Sequence, residues 1–530
     1  MPAQQTRGAD RAAPADRAPA GRAPADGAPT PGAAQCDVLV VGAGPTGLMA
    51  GLVAARRGLD VIVIDRKAGP TRESRALVIQ ARSLEILDQL GLADRVVHGS
   101  TLTGRLQIRG GASPRSVDFA PTQQGWTPFP GAWVFEQSRT EALLAGALED
   151  QGCPVRYGWE LEDLDSRAEG VEASTRGPSG PQSIHARWLI GADGASSPVR
   201  HLVGLAFEGV TDDATFCVAD LRGVDGVPEG SLAARFGELR FAILFPMGPG
   251  GHARMIWLHG GSEPDQEEAL AAARADLGIS YDRVDWFSSY RVHHRLARSF
   301  RQGSVLLAGD AAHVHSPVGG QGMNTGLQDA HHLANLLADI ACGHLAPEEI
   351  TRYEDERRPV ALTLIRATDR AFGLIARPGR TTAFLRRRAR DVLAVLVPHL
   401  LGSRLGPHLG GLLGQYRIRY HPVPAGDPLP RWARDTAVGL RLPPTPENRA
   451  ALRDMGWQLH TYGAHADRPA VPDWIRGPLA FPPDPKGRLR TDSLYLVRPD
   501  GYVAASWPLH AGAAATADVR AALTACGIIR

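Results

Sequence analysis

The sequence predicts an α/β protein: a Rossmann-like domain with a β-sheet domain inserted into it, followed by a second, C-terminal α/β domain. Three observations carry this. Residues 36–41 (Cys-Asp-Val-Leu-Val-Val) run straight into glycines, and two later apolar runs, 188–190 and 304–308, also end at a glycine beside an aspartate. Between those two runs, from about 205 to 300, the pattern changes to short strand-like segments spaced by glycine or proline. Beyond Arg417 proline density rises, which marks a domain boundary.

The elements follow in order. Residues 36–41 are short, apolar and β-branched, as a buried parallel strand is. Helical spacing from Pro45 to about Arg57 and a second apolar run, 61–64, complete a βαβ unit. In the inserted region, 241–245 and 254–258 read as strands of a mostly β layer. From Gln328 to about Leu413 the pattern is helical, with the apolar residues of 333–340 on one face. Near the end, the runs 494–497 and 502–505 flank Pro499-Asp500-Gly501, a hairpin signal in which proline presets φ and glycine accepts a positive φ. The domains expected are a disordered tail over 1–34, a first α/β domain over 35–205 and 296–415, a substrate-binding β domain over 206–295, and a C-terminal domain over 416–530.

Composition narrows the function. With 43% hydrophobic and 22% charged residues, the 530-residue chain can bury a large core and divide into about three domains. A net charge of +2 gives no field suited to nucleic acid or an anionic membrane, so neither is expected as a partner. No window approaches the roughly 18 consecutive apolar residues of a membrane span. The first 34 residues, rich in Ala, Pro, Arg, Asp and Gly, lack the apolar stretch of a signal peptide and cannot bury enough surface to order themselves. The five cysteines (Cys36, Cys153, Cys217, Cys342, Cys526) never form a C-x-x-C pair, which argues against a disulfide framework, a zinc site or a dithiol centre and fits a reducing cytoplasm. His313, His315, His331 and His332 lie close together in sequence, but no cysteine or carboxylate completes a zinc set, and no metal is expected.

Three motifs carry chemistry. In Gly42-Ala43-Gly44-Pro45-Thr46-Gly47, Gly42 permits the tight turn, Gly44 lets the backbone approach a pyrophosphate, and Gly47 lets helix and strand pack closely. The helix start then offers free N–H groups and a positive dipole end to the diphosphate. Asp65, followed by Arg66, lies at the spacing of the acid that binds a ribose hydroxyl. This motif alone does not separate FAD from NAD. The second motif is Gly191-Ala192-Asp193-Gly194, followed by Arg200. The third is Gly309-Asp310, running on through Pro317, Gly319, Gly320, Gly322, Met323 and Asn324. An acid at a strand end can hold a ribitol or ribose hydroxyl. The glycines of 319–322 let backbone lie flat against a planar ring, at the start of a helix that can stabilise negative charge on it.

On these residues the sequence resembles the class A flavoprotein monooxygenases, the para-hydroxybenzoate hydroxylase-like group, and within it the aromatic polyketide hydroxylases. The likeness covers about residues 36–375, with a weaker tail. It implies that the glycine turn and Asp65 hold the AMP half of FAD, that Asp193 and Gly194 serve FAD and NAD(P)H, that Asp310 grips the ribityl or ribose portion, and that 317–324 packs along the isoalloxazine. It also places Arg75 and Gln137 as contacts to FAD, and makes the C-terminal domain thioredoxin-like, without active cysteines and with a structural role. No second nicotinamide fingerprint is found, in keeping with transient docking of NADPH or NADH.

The resemblance further implies an O2-consuming hydroxylation of a polycyclic aromatic, polyketide-type molecule through a flavin C4a-hydroperoxide, in a monomer or homodimer. Baeyer–Villiger oxygenation of a polyketide ketone is the alternative on the same scaffold, and a flavin-binding regulator is the alternative of another class. Arg82 is the candidate catalytic residue: its cation would stabilise an oxyanion or peroxide, the other reading being a surface arginine on a helix. Arg370 is a weaker candidate. Phe241, Phe245, Met247 and Trp257 are expected either to line an apolar substrate pocket or, for most of them, to pack the core.

Overall fold

The computed structural model describes residues 34–71, 76–109, 115–167, 169–237, 240–259, 264–316, 319–376, 399–421, 428–509 and 512–529. Residues 1–33 of the expected N-terminal tail, Arg75, Pro317 and the side chain of Arg370 lie outside the described residues, and Ala34 begins the first strand.

The chain opens with the βαβ unit: strand β1 (Ala34–Val41), helix α1 (Pro45–Arg56) and strand β2 (Val61–Asp65). β1 is central. It pairs in parallel with β2 on one side and with the strand Gly180–Gly191 on the other, and the latter pairs in parallel with Val305–Leu307. The register aligns the strand ends: Val41 faces both Ile64 and Gly191, and Gly191 faces Leu307. The three glycine motifs, far apart in sequence, therefore emerge side by side at the carboxyl edge of one sheet, where α/β folds bind ligands. Every residue of β2, and β1 from Val38 on, is buried, as a sheet covered on both faces requires. The helix Gly322–Ala341 packs beside α1, and a second long helix, Arg352–Ala376, follows it.

The second sheet has eight strands, built on Phe207–Arg222, Ser231–Phe236, Phe241–Gly248, His252–His259 and Arg283–Ala297. It extends beyond the expected 206–295. Arg105–Arg109 and Arg115–Asp118 join one edge, and His313–Val314 joins the other. The helix Gln266–Leu277 covers one face, stopped by Gly278 at φ +61°. Against it pack Cys217, Ala219, Leu221, Ala242, Leu244, Met255 and Trp257, all at most 1% exposed. Alternation along Phe241–Gly248 sends Phe241, Ile243, Phe245 and Met247 to the opposite face, where they are half-buried.

The C-terminal domain holds a four-stranded mixed sheet. Gln458–Tyr462 pairs in parallel with Arg476–Phe481 and antiparallel with Ser493–Val497, which forms the expected hairpin with Val503–Pro508. A thioredoxin-like domain is the expectation here; the connection between the parallel strands, residues 463–475, contains no helix. This domain shares one apolar cluster with the first sheet. Ion pairs from Asp88 to Arg449 and Arg453 reinforce the contact, as does a hydrogen bond from the Trp457 indole to Asp339, which also pairs with Arg57.

Candidate active site

The glycine turn is built as its spacing requires. Gly42 has φ +106°, and a Cβ there would collide with the Ala192 carbonyl; one on Gly47 would collide with the Gly42 carbonyl. These two glycines hold helix and strand in contact. Gly44 is different, because no protein atom lies within 4 Å of its absent side chain. It is the N-cap of α1, has no side chain to satisfy the first-turn N–H groups, and leaves open the space a diphosphate would take. Pro45 stands in the first helical turn. Thr46 packs against Gly309 and Gly326, tying α1 to the third motif. Asp65 accepts the Ala43 N–H at 2.7 Å and the Lys67 N–H at 2.8 Å, so the acid is locked beside the turn, while Arg66 is exposed.

Next to this turn, Asp193 accepts the Val199 N–H at 2.9 Å through one oxygen, while its buried Oδ1 has no partner among the described residues. Burial pushes its carboxyl above the usual range, against the hydrogen bonds from Ser197 and Val199. Gly194, at φ +85°, has nothing within 4 Å of its absent side chain. Arg200 supports the motif from behind, donating to the Ala195 and Ala311 carbonyls at 2.9 Å and lying over the Phe207 ring at 3.9 Å.

The turn at Gly309 leaves Asp310 exposed and rests on a buried ion network. Asp329 accepts from the Gly309 N–H at 3.2 Å, lies 2.6 Å from His313 Nε2, and accepts from Arg357 Nε at 2.7 Å. Burial pushes the Asp329 carboxyl up, but Arg357 and His313 outweigh it and hold the group below the carboxylate range. The glycine loop at 319–322 is clamped by Asn324, whose Oδ1 accepts the Gln80 N–H at 2.8 Å and whose Nδ2 donates to the Val78 and Gly320 carbonyls at 2.9 Å. Met323 is half-buried against the main core. Gln137 starts the helix Gln137–Glu149, its N–H bonded to the Ala76 carbonyl and its side chain donating to Glu141 at 2.8 Å.

Val78 also lies in an apolar cluster with Leu77, Phe119, Ala132 and Val134, onto which Leu106, Leu232, Phe245, Met247 and Ile256 pack from the second sheet. The half-buried row of that sheet thus borders the segment that clamps the glycine loop. Trp257 belongs to the opposite, fully buried face.

Arg82, the candidate catalytic residue, is engaged by protein partners. It is buried on helix α2 (Ala81–Gln89), its Nη atoms engaged by Glu85 at 3.3 Å and by the Asp500 carbonyl at 2.7 Å, with its guanidinium over Tyr502 at 5.4 Å. It faces the C-terminal hairpin, because the side chain from this turn of α2 points towards that domain. It is not the surface arginine of the alternative reading.

Sequence reasoning missed the charges beneath the site: Asp329, Glu356, Arg357, Arg498 and Asp500. Arg498 donates to Glu356 at 2.7 and 2.9 Å and to Asp500 at 2.6 Å, and His332 Nε2 lies 2.6 Å from Glu356. Of the histidines that tempt a metal reading, His313 and His332 are partnered by carboxylates and His315 by a backbone carbonyl. Asp329, set among the apolar residues of its helix, was the one available signal.

A dinucleotide turn with an open phosphate side, set beside an apolar cluster to which a second sheet contributes, suits FAD and the class of flavoproteins. Residues 35–368 match the FAD binding domain family, FAD_binding_3, and the chain belongs to that family. The chain is 31% identical over 502 residues, 88% of this chain and 94% of the relative, to the 12-dehydrotetracycline 5-monooxygenase/anhydrotetracycline 6-monooxygenase of Streptomyces rimosus. Among solved structures, OxyS anhydrotetracycline hydroxylase from Streptomyces rimosus is similar at TM-score 0.74 and 30% identity, covering 93% of this chain and 99% of that one. CabE, an aromatic hydroxylase from angucycline biosynthesis, is similar at TM-score 0.75 and 29% identity, covering 93% and 100%. The protein is an FAD-dependent monooxygenase of the aromatic hydroxylase type; such enzymes use NAD(P)H and O2. Among the described residues, no helix is long and apolar enough to cross a membrane.

Proposed function

We propose that the protein hydroxylates a polycyclic phenol of the polyketide type, as a tailoring step in natural-product biosynthesis. One observation carries the choice of substrate: Phe245, Met247 and Ile256 on the sheet, with Leu106 and Leu232 beside them, form an apolar wall against Leu77 and Val78, next to the glycine loop. Such a wall suits a flat, fused-ring molecule. Bound FAD would supply the oxygen-transfer chemistry, while this chain's residues hold and shield the reactants. Gly42, Gly44, Gly47 and Asp65 would hold the AMP half, Asp193 and Asp310 the polyol, and the loop at 319–322 the ring. The names of the relatives support a polycyclic aromatic substrate.

The test is to purify the protein, record its visible spectrum, and follow NADPH oxidation with a panel of polycyclic phenols and ketones. Phenol-stimulated oxidation with a hydroxylated product, heavier by one oxygen, is the expected result. A lactone formed from a ketone would replace hydroxylation with ring expansion. No response to any phenol or ketone would refute the substrate class.

A further inference from the structure

His315 is 9% exposed and stands where the two halves of the active site meet. It follows the strand His313–Val314, which pairs with Leu296 and Arg295 at the edge of the substrate sheet, and it precedes the glycine loop. Its Nδ1 lies 2.8 Å from the Ser316 carbonyl. A carbonyl oxygen only accepts, so Nδ1 carries the ring hydrogen and Nε2 presents a lone pair. That Nε2 is buried and has no hydrogen-bond partner among the described residues. Burial first, and then the nearby His313 and His294, hold the imidazole at about 4, neutral at ordinary pH, although the bond to Ser316 acts the other way.

The direction of this lone pair is informative. Cε1 and Nε2 of His315 are the atoms nearest the absent side chain of Gly322, both at 3.9 Å. Gly322 opens the 20-residue helix Gly322–Ala341, so the imidazole edge faces the first turn of that helix across a position kept free of any side chain. A buried, unsatisfied acceptor is costly to maintain unless a donor arrives. Here the donor would come from a molecule seated between the substrate sheet and the glycine loop.

We propose that His315 Nε2 accepts a hydrogen bond from a ring hydroxyl of the bound aromatic substrate, making His315 a substrate-binding and specificity-determining residue. This rests on the reading of the substrate as a phenol. The bond fixes which ring and which edge face the flavin loop, and it raises electron density on the ring by drawing on the phenolic hydrogen. An apolar wall alone selects flat molecules without orienting them; one acceptor at its rim supplies the orientation.

The test uses the FAD-loaded full-length protein and two probes, 2-hydroxyanthraquinone and 2-methoxyanthraquinone, with binding read from perturbation of the flavin spectrum. The wild type should prefer the hydroxyl compound by about tenfold, the value of one modest hydrogen bond. His315→Phe should bind both compounds equally while keeping its FAD. His315→Gln, whose amide oxygen can accept, should keep part of the preference. An undiminished preference in His315→Phe overturns the proposal. So does loss of FAD from both variants, which would make His315 a flavin ligand instead. A wild type that binds both probes equally overturns the role of His315 but not the phenol reading, which turnover tests separately; a wild type that binds neither counts against both.

Discussion

Replacing Gly44 by alanine separates cofactor binding from folding more sharply than any other change at the site. Gly44 has φ −78° and ψ 179°, which alanine adopts without strain, and nothing lies within 4 Å of the new methyl group. Removing glycine's freedom from the unfolded chain stabilises by about 0.4–1 kcal/mol. Alanine is a poorer N-cap than glycine, which works against this by a similar amount. The apoprotein should therefore unfold within about 1 kcal/mol of wild type, since both effects are of that size. A bound diphosphate passing at contact distance from Gly44 would instead meet the methyl group and lose hydrogen bonds to the first-turn N–H groups. Losing one or two such bonds to a charged group, at about 1.5–3 kcal/mol each, weakens FAD binding by roughly tenfold or more. Gly47→Ala gives the contrast: its methyl meets the Gly42 carbonyl, so strand and helix must part, and stability and FAD affinity should fall together. The assays are urea unfolding of the apoproteins and FAD titration by flavin fluorescence. A Gly44→Ala protein that binds FAD like wild type would refute the assignment of this turn as the diphosphate cradle.

Other expectations follow from the buried charges. Asp329→Ala leaves Arg357 and His313 buried without their carboxylate, which should cost about 3–5 kcal/mol and loosen the Gly309 turn, seen as a lower melting temperature and weaker FAD retention; an unchanged melting temperature would show that the network contributes nothing. Arg82→Met should destabilise by about 1–3 kcal/mol through loss of the bonds to Glu85 and the Asp500 carbonyl, yet leave kcat near wild type; a collapse of kcat at unchanged stability would favour the catalytic reading. The buried His315, held at about 4, and His331 and His460, at about 3, all lie below the unfolded histidine value. Their contribution to stability is complete above about pH 6.5 and is lost as pH falls towards 4 and then 3, at about 1.4 kcal/mol per unit per group. Urea midpoints measured with saturating FAD should fall steadily from pH 7 to 5, and a flat profile would contradict the burial of these rings.

The sequence by itself determined the cofactor half of this protein. Gly42, Gly44 and Gly47 are legible because the physical demand on each is local: a positive φ, an open face, a close helix contact. β1 and β2 are legible because a sheet buried on both faces needs continuous apolar runs, and the hairpin around Asp500 because turn chemistry is local too. Tertiary structure decided what depends on partners distant in the chain. The recruitment of Arg105–Arg109 into the substrate sheet follows from a parallel pairing with Ser231–Phe236, which no periodicity encodes. The side chain of Arg498 looks like an ordinary surface charge until Glu356 and Asp500 close around it, and Arg357 and His313, the partners of Asp329, are brought to it only by the fold. Arg82 has the same chemistry beside a flavin or a hairpin carbonyl, and its bond to the Asp500 carbonyl exists only because the C-terminal domain docks there, 418 residues further along the chain.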